Sequence, residues 1–353
     1  MNDVELLREL SGRFGVSGFE EEVCQSIQER VKGLGDRTEV DVLGNLMVWV
    51  NPGQGFTVML DAHMDEIGIM VSHIEEDGFL RFALIGGWDP RVLPGQRVEL
   101  KSRGGSKHQG VIGALPPHVQ TADEQKQPYK VEDLFIDLGA ESKEAVATME
   151  IGPGSPGVLC YPFQTVGSSR VMGKALDDRV GCVILIRCLE YLSRNRPDFT
   201  VVVNFAVSEE VGLRGARTAS YQIQPHVALA VEGTIGADTP GIPAHKCPAR
   251  LGKGPAISVA DKTIIVNPNL VRFIEEAADT VKIPWQYRLP LAGGTDAGAI
   301  QLSRGGVLAG VISVPCRYIH SPSGILDLRD LKHTITLLLE VLRRAPELRR
   351  LKR

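Results

Sequence analysis

The chain reads as an α/β protein, a mixed sheet flanked by helices and interrupted by an inserted all-β, barrel-like segment. Three observations carry that expectation. Apolar runs of strand length, such as Val201–Val207 and Val227–Val231, alternate with helical patterns such as Ala175–Ser193 and Leu328–Leu342, as strand–helix units on a sheet do. Between about Met70 and Phe163 helical periodicity nearly vanishes and short alternating stretches are separated by Gly, Pro, Asp and charged residues, the texture of a small barrel or sandwich. Carboxylates and histidines stand at the ends of several apolar runs, where open α/β sheets collect their chemistry.

Taken in order, Asn2–Leu10 and Phe19–Leu34 have helical spacing, with Ser17-Gly18 breaking them apart,. Thr38–Val42, Asn45–Val50 and Thr57–Ala62 read as strands, the last buried on both faces and ending directly at His63,. Within the β-rich segment, Phe79–Ile85, Gln96–Leu100, Gly110–Ile112 and Leu134–Leu138 are the strand candidates, and the polar Gln120–Val131 is expected to be a mobile loop. Alternation then resumes through Ala175–Ser193, Val201–Val207, Val227–Val231, Ile257–Val259, Pro268–Val281, Val307–Ser313 and Leu328–Leu342. The expected organisation is a discontinuous domain of residues 1–69 and 164–353 around an insert of residues 70–163. The insert falls between His63 and Asp177, so it should overhang a site built from those residues or make an oligomer contact.

Composition narrows the function. The 353 residues suffice for one large domain plus a smaller one, and the net charge of -4 with no basic, aromatic-interleaved run argues against a nucleic-acid surface,. The basic C-terminal stretch, Arg343-Arg344 and Arg349 to Arg353, is expected to be a solvated helix end favoured by the helix dipole. No apolar run is long enough to span a bilayer, the first residues read as an amphipathic helix, and the six cysteines have no pair spacing,. A soluble cytoplasmic protein with reduced thiols is expected.

Five segments place metal-ligand types at element ends. His63-Met64-Asp65 follows a strand; residues i and i+2 share a face there, so Asp65 can accept from the imidazole and orient it,. Asp177-Asp178 opens a helix, where one carboxylate serves as a cap and a second exceeds what a cap needs; Arg179 could balance the surplus charge,. Glu209-Glu210 follows an apolar strand, and such a pair divides labour: one carboxylate ligates while the other takes a proton,. Glu232 follows Val227–Val231, and His320 lies beyond Val307–Ser313. Together these residues make the ligand set of a two-metal hydrolase with a carboxylate left over as base. His245 and Asp296 are weaker candidates for substrate contact, the latter in Gly293-Gly294-Thr295-Asp296.

The ordered set Ala62–Gly68, Lys174–Arg179, Ser208–Gly212, Glu232-Gly233-Thr234, Lys246–Gly252, Gly293–Ala297 and His320-Ser321-Pro322 resembles the tetrahedral (TET) aminopeptidases, family 42 of the metallopeptidases. The resemblance runs nearly end to end. It implies a dinuclear-metal exopeptidase-like fold whose insert is a dimerisation domain, with dimers assembling into a dodecamer. It further implies that His63 and Glu232 hold one divalent ion and Glu210 and His320 the other, with Asp177 bridging. Glu209 would be the general base, Asp65 would orient His63, and the Asp177-Asp178 peptide would be cis. The implied reaction removes N-terminal residues from short peptides through a two-metal-activated water. Zn or Co suits the N/O donor set, and Mn is also compatible. Competing readings are an N-acyl amide hydrolase or deacylase, an endoglucanase suggested by paired carboxylates, and a non-catalytic binding protein. The leftover base argues against the last.

Overall fold

The computed structural model describes residues 1–289 and 293–351; Lys352 and Arg353 of the basic C-terminal stretch lie outside the described residues. Helices α1 (Asp3–Gly12) and α2 (Glu21–Val31) lead into strands β1 (Arg37–Val40), β2 (Leu46–Val50) and β3 (Thr57–His63). Then come β4 (Gly68–Ile74), β5 (Leu80–Ile85), β6 (Arg97–Lys101), β7 (Lys107–Gly113), β8 (Phe135–Asp137), the short helix α3 (Lys143–Thr148) and β9 (Pro156–Leu159). The chain returns through β10 (Gln164–Val166), β11 (Arg170–Gly173), α4 (Leu176–Arg194), β12 (Thr200–Ala206), α5 (Arg214–Ile223) and β13 (Val227–Ile235). It ends with β14 (Ala256–Ser258), α6 (Pro268–Thr280), β15 (Gln286–Arg288), α7 (Asp296–Gln301), β16 (Leu308–Arg317), β17 (Gly324–Asp327) and α8 (Leu328–Arg344).

The large sheet runs β1-β2-β12-β3-β13-β16-β17-β11-β10, with β14 and β15 attached through β16. Its centre, β12-β3-β13-β16, is parallel throughout. Those strands are Val-, Leu- and Ala-rich because both faces are covered, and β12 is buried along its whole length,. Helix α4 lies over β3 and β13 and carries α1, α2 and α8 on its flank, while α5 and α7 pack on one another and on the same strands. Each fully buried Val or Leu contributes about 1.5–3 kcal/mol, so this core fixes strand register and, with it, which residues emerge at the strand ends.

Strands β4-β5-β8-β7-β6-β9 form a closed barrel with its own core around Ile69, Leu80, Val98, Leu100, Ile112 and Ile136. Closure removes the exposed edges that short strands would otherwise present. The polar 120–131 stretch is built of turns, including Glu124–Lys126. Phe14, Val16 and Val158 make a small apolar seam between barrel and sheet domain.

Several expectations needed adjustment. Helix α5 was not foreseen, because its buried face (Gly215, Ala216, Ala219, Ser220 and Ile223) is mostly small or polar and gives little apolar signal. Strand β13 runs four residues past Val231, its ladder to β16 continuing through Glu232↔Ser313 to Ile235↔Cys316. Glu232 therefore sits inside a strand and not at its end. The arginines at the end of α8 are paired, Arg343 with Glu340 and Arg344 with Glu276 and Glu347.

Candidate metal centre

The site lies at the carboxyl ends of the four parallel strands, the position the topology of an open α/β sheet provides. His63 is the last residue of β3, and its Nε2 stands 3.6 Å from Asp177 Oδ1 and 3.9 Å from Glu209 Oε2. His320 follows β16; its Nε2 is 3.1 Å from Glu210 Oε1 and 3.5 Å from Asp177 Oδ2. Asp177 thus turns one carboxylate oxygen to each imidazole. The donor atoms of His63, Glu209 and Glu210, and those of Asp177, Glu210 and His320, each lie within 4.8 Å of one another. Glu232 belongs to neither trio; its Oε1 accepts the Asp296 N–H at 2.9 Å, and it lines the same cavity.

Local sequence explains each placement. Asp65, completely buried, accepts the Glu209 amide on Oδ1 at 3.0 Å, and on Oδ2 it accepts the Glu210 amide at 3.1 Å and Ser17 Oγ–H at 2.6 Å. The His63 Nδ1 is 3.4 Å from Asp65 Oδ1 and 3.2 Å from the Asp65 backbone carbonyl, so this one residue braces both the imidazole and the diglutamate turn. The Asp177-Asp178 peptide is cis, and regular helix begins only after Asp178. Asp178 then does the capping, its Oδ1 accepting the Gly181 N–H at 3.0 Å, which leaves Asp177 for the site. His320 donates from Nδ1 to the Gly87 carbonyl at 2.9 Å, a contact from the loop after β5 that turns Nε2 toward the carboxylates. At Gly87 an added Cβ would stand 3.1 Å from His320 Nδ1.

The electrostatics are those of a site built for positive charge. Burial pushes Glu209 well above the ordinary carboxylate range; His63 opposes this, and Glu232, Glu210 and Asp65 add to it. Burial likewise raises Glu210, against the pull of His320, and brings Glu232 up to about 8, against His63. Asp177 is held low despite burial because the imidazoles of His320 and His63 each face one of its oxygens. His320 resists the opposite tendency of burial and is pushed up to about 11 by Asp177 and Glu210. Divalent cations fit this donor set: imidazole nitrogens and carboxylate oxygens without sulfur, more buried negative charge than the two histidines neutralise, and a buried Asp177 Oδ1 with no hydrogen-bond partner,.

Other residues fall differently from expectation. Arg179 does not balance the aspartate pair: it is fully buried, donates to the Leu10 and Gly15 carbonyls and pairs with Glu66 at 3.2 Å, because α1 and the turn after it pack on that side of α4. His245 is exposed and does not line the cavity. Asp296 is fully buried behind Glu232, so its backbone amide, and not its carboxylate, meets the site. Asp61, Ser17, Glu20 and Gly87 went unrecognised. An acid inside the otherwise apolar β3 was the available signal for Asp61, whose Oδ1 accepts from Asn204 at 2.6 Å. Glu20 and Gly87 had none, since each acts through backbone atoms distant in sequence. A cavity of about 630 Å³ adjoins the site; besides the residues above it is lined by Gly233, Thr234, Thr263, Arg288, Gly294 and Ile319.

Residues 44–337 match the family described as M42 glutamyl aminopeptidase. The chain is 40% identical to an aminopeptidase from the archaeon Desulfurococcus kamchatkensis, with a TM-score of 0.92 over 96% of this chain and 94% of that one. It is 36% identical to the lysyl aminopeptidase of Pyrococcus furiosus across 96% of each chain. It is also similar to the Pyrococcus horikoshii TET1 peptidase, which can assemble into a tetrahedron or a large octahedral shell (34% identity, TM-score 0.87, 97% of this chain and 99% of that one).

Proposed function

Because the chain belongs to the M42 glutamyl aminopeptidase family, and is therefore a peptide hydrolase, we propose that it removes N-terminal residues from short peptides at a two-metal centre with Glu209 as general base. The observation that carries this reading is the convergence of His63, Asp177, Glu210 and His320 on one another, with Glu209 beside His63. In it, His63 and Glu232 would hold one divalent cation and Glu210 and His320 the other, with Asp177 shared between them. Zn or Co suits these donors, with Mn as a further option. Bound cations would supply Lewis acidity toward a peptide carbonyl and lower the pKa of a water.

The chain's own residues do the rest. Asp65 braces His63 and the amides of Glu209 and Glu210, so the base is held against the ligands. Glu209 stands beside His63 among other carboxylates; it takes the proton of the attacking water and returns it to the departing amine nitrogen,. The surplus of buried carboxylates suits the free α-ammonium of an N-terminus. The cavity beside the site gives room for the first side chain of the substrate. The insert of residues 70–163 serves as the dimerisation domain in this reading, with dimers assembling into a dodecamer; the TET1 relative's tetrahedral assembly supports it.

The test is a panel of aminoacyl-p-nitroanilides and their N-acetylated counterparts, offered to metal-stripped protein restored with Zn, Co or Mn. Turnover of free-amine substrates only, and only with metal, is expected. Glu209→Gln should keep its metal and lose turnover by several orders of magnitude. A variant with near-normal rate would remove Glu209 from its role, and cleavage of blocked substrates would favour an N-acyl amide hydrolase.

A further inference from the structure

Three successive backbone amides, those of Ser208, Glu209 and Glu210, all point into carboxylates. Asp65 takes the second and third; the first, Ser208 N–H, goes to Glu20 Oε1 at 3.0 Å. The same oxygen accepts Gly18 N–H at 2.9 Å and stands 3.4 Å from Ser208 Oγ. Ser208 has φ +56, in the left-handed region that a residue with a side chain enters only when its surroundings hold it there,. It is the hinge between the end of β12 and the diglutamate.

Glu20 is 6% exposed and has no Lys, Arg or His partner among the described residues. It occupies the N-cap position of α2, yet its side chain makes no cap bond to that helix. Burying a carboxylate without a cation is costly, and here burial and the charge of Asp65 push its pKa up to about 7. A group kept under those conditions makes no cap bond to its own helix and instead joins its own turn, at Gly18, to the turn that carries Glu209. The neighbouring Ser17 donates to Asp65 at 2.6 Å, so one four-residue turn serves both carboxylates.

We propose that Glu20 is a positioning residue: by accepting the Ser208 amide it fixes the turn from which Glu209 reaches the reacting water. The inference rests on the reading of Glu209 as the general base. Its consequence is kinetic. Without the acceptor, Ser208 can leave its left-handed conformation and the Glu209 carboxylate shifts, although no metal ligand and no part of the cavity lining has been touched.

Glu20→Ala, Glu20→Gln and Glu209→Gln would be compared with the wild-type protein, each stripped and reloaded with two equivalents of Co²⁺. Readouts are kcat and KM on free-amine p-nitroanilides, bound metal, Tm, and amide hydrogen exchange over residues 205–213. Glu20→Ala should lower kcat by roughly ten- to a hundred-fold, the scale of an ångström's misplacement, with KM within about two-fold of wild type. Its metal content should be unchanged and exchange faster across residues 208–210. Glu20→Gln keeps an amide oxygen for the Ser208 N–H and should recover most of kcat. If Glu20→Ala fails to fold, Glu20→Met, which keeps the volume without the acceptor, carries the same expectation. A lowered Tm with wild-type kcat, or a Gln variant as impaired as the Ala variant, would overturn the proposal. Near-normal turnover by Glu209→Gln would instead remove the base reading. An inactive Glu209→Gln beside an unaffected Glu20→Ala would remove only the role of Glu20.

Discussion

Gly233 is the most sensitive steric gauge of where Asp177 must stand. A Cβ built there would lie 2.7 Å from Asp177 Oδ1 and 3.1 Å from both Cβ and Cγ of that side chain. Carbon atoms settle about 3.5 Å or more apart, so Gly233→Ala obliges Asp177 to retreat by roughly 0.4–0.5 Å. No charge, ligand or hydrogen-bonding group is changed. A reacting group must be held to within about 0.5 Å, and an ångström of misplacement costs on the order of a hundred-fold, which scales to about ten-fold for half that distance. The expected loss in kcat/KM is therefore about ten-fold, equivalent to ~1.4 kcal/mol of transition-state stabilisation, alongside a stability cost of about 1–3 kcal/mol from overpacking. The assay is steady-state hydrolysis of a free-amine p-nitroanilide by Co²⁺-loaded protein, with bound metal titrated in parallel. Gly12→Ala, where an added Cβ meets nothing within 4 Å, is the control. Unchanged kcat/KM and metal affinity in Gly233→Ala would mean that the Asp177 carboxylate is free to move without consequence, and its bridging role would fall.

Two further outcomes follow from the geometry. Gly87→Ala should weaken metal binding several-fold, because its Cβ would press on His320 Nδ1 from 3.1 Å and disturb the bond that aims Nε2; competition with a chelator measures this, and wild-type affinity would refute it. Asp330 is buried, and burial raises its pKa to about 6 even though the Gly252 and Gly254 amides donate to it. A folded pKa above the unfolded value of about 3.9 gives a contribution fully present below pH 4 and lost as pH rises through 6, worth about 3 kcal/mol. In Asp330→Asn that loss is absent, so the Tm of the variant relative to wild type should climb between pH 4 and 7; a constant difference would refute it.

The legible parts of this molecule were those in which one local pattern had one structural meaning. The apolar runs at Val201–Val207 and Val227–Val231 could only be buried strands, and they delivered Glu209, Glu210 and Glu232 to one end of the sheet. The β texture of the insert announced a barrel because no helix spacing competed with it. What escaped was set by tertiary partners. The buried face of α5 (Gly215, Ala216, Ala219, Ser220, Ile223) is helically spaced but built of small side chains that fit against β12 and α7, so its apolar signal is weak. The outlying strands β10, β11 and β17 are three or four residues each, and pairing alone defines them. Around the site, the candidate ligands were visible as residue types, whereas Gly87 and Glu20 act on or through backbone groups more than a hundred residues away. Such contacts leave no periodicity. Arg179 misled for the related reason that its neighbours in sequence are not its neighbours in space.

The first and last strands of the barrel are hydrogen-bonded neighbours, with Ile69 opposite Gly157 and Met70 opposite Pro156. The chain therefore departs from the sheet domain and re-enters it at a single doorway. To the host domain the whole insert is a loop whose ends already meet, so its length imposes little closure entropy on the sheet. A module hung in this way can be resurfaced, lengthened or exchanged over evolutionary time without shifting the register of β3, β12, β13 or β16. Besides the Phe14–Val16–Val158 seam, one contact that reaches the site limits that freedom. The Gly86–Trp88 loop is part of the module but reaches back through the doorway to His320, with Trp88 Nε1 anchored on the Gly68 carbonyl at 2.9 Å. Exchange of the barrel between relatives should succeed where that loop travels with the host domain and fail where it travels with the graft.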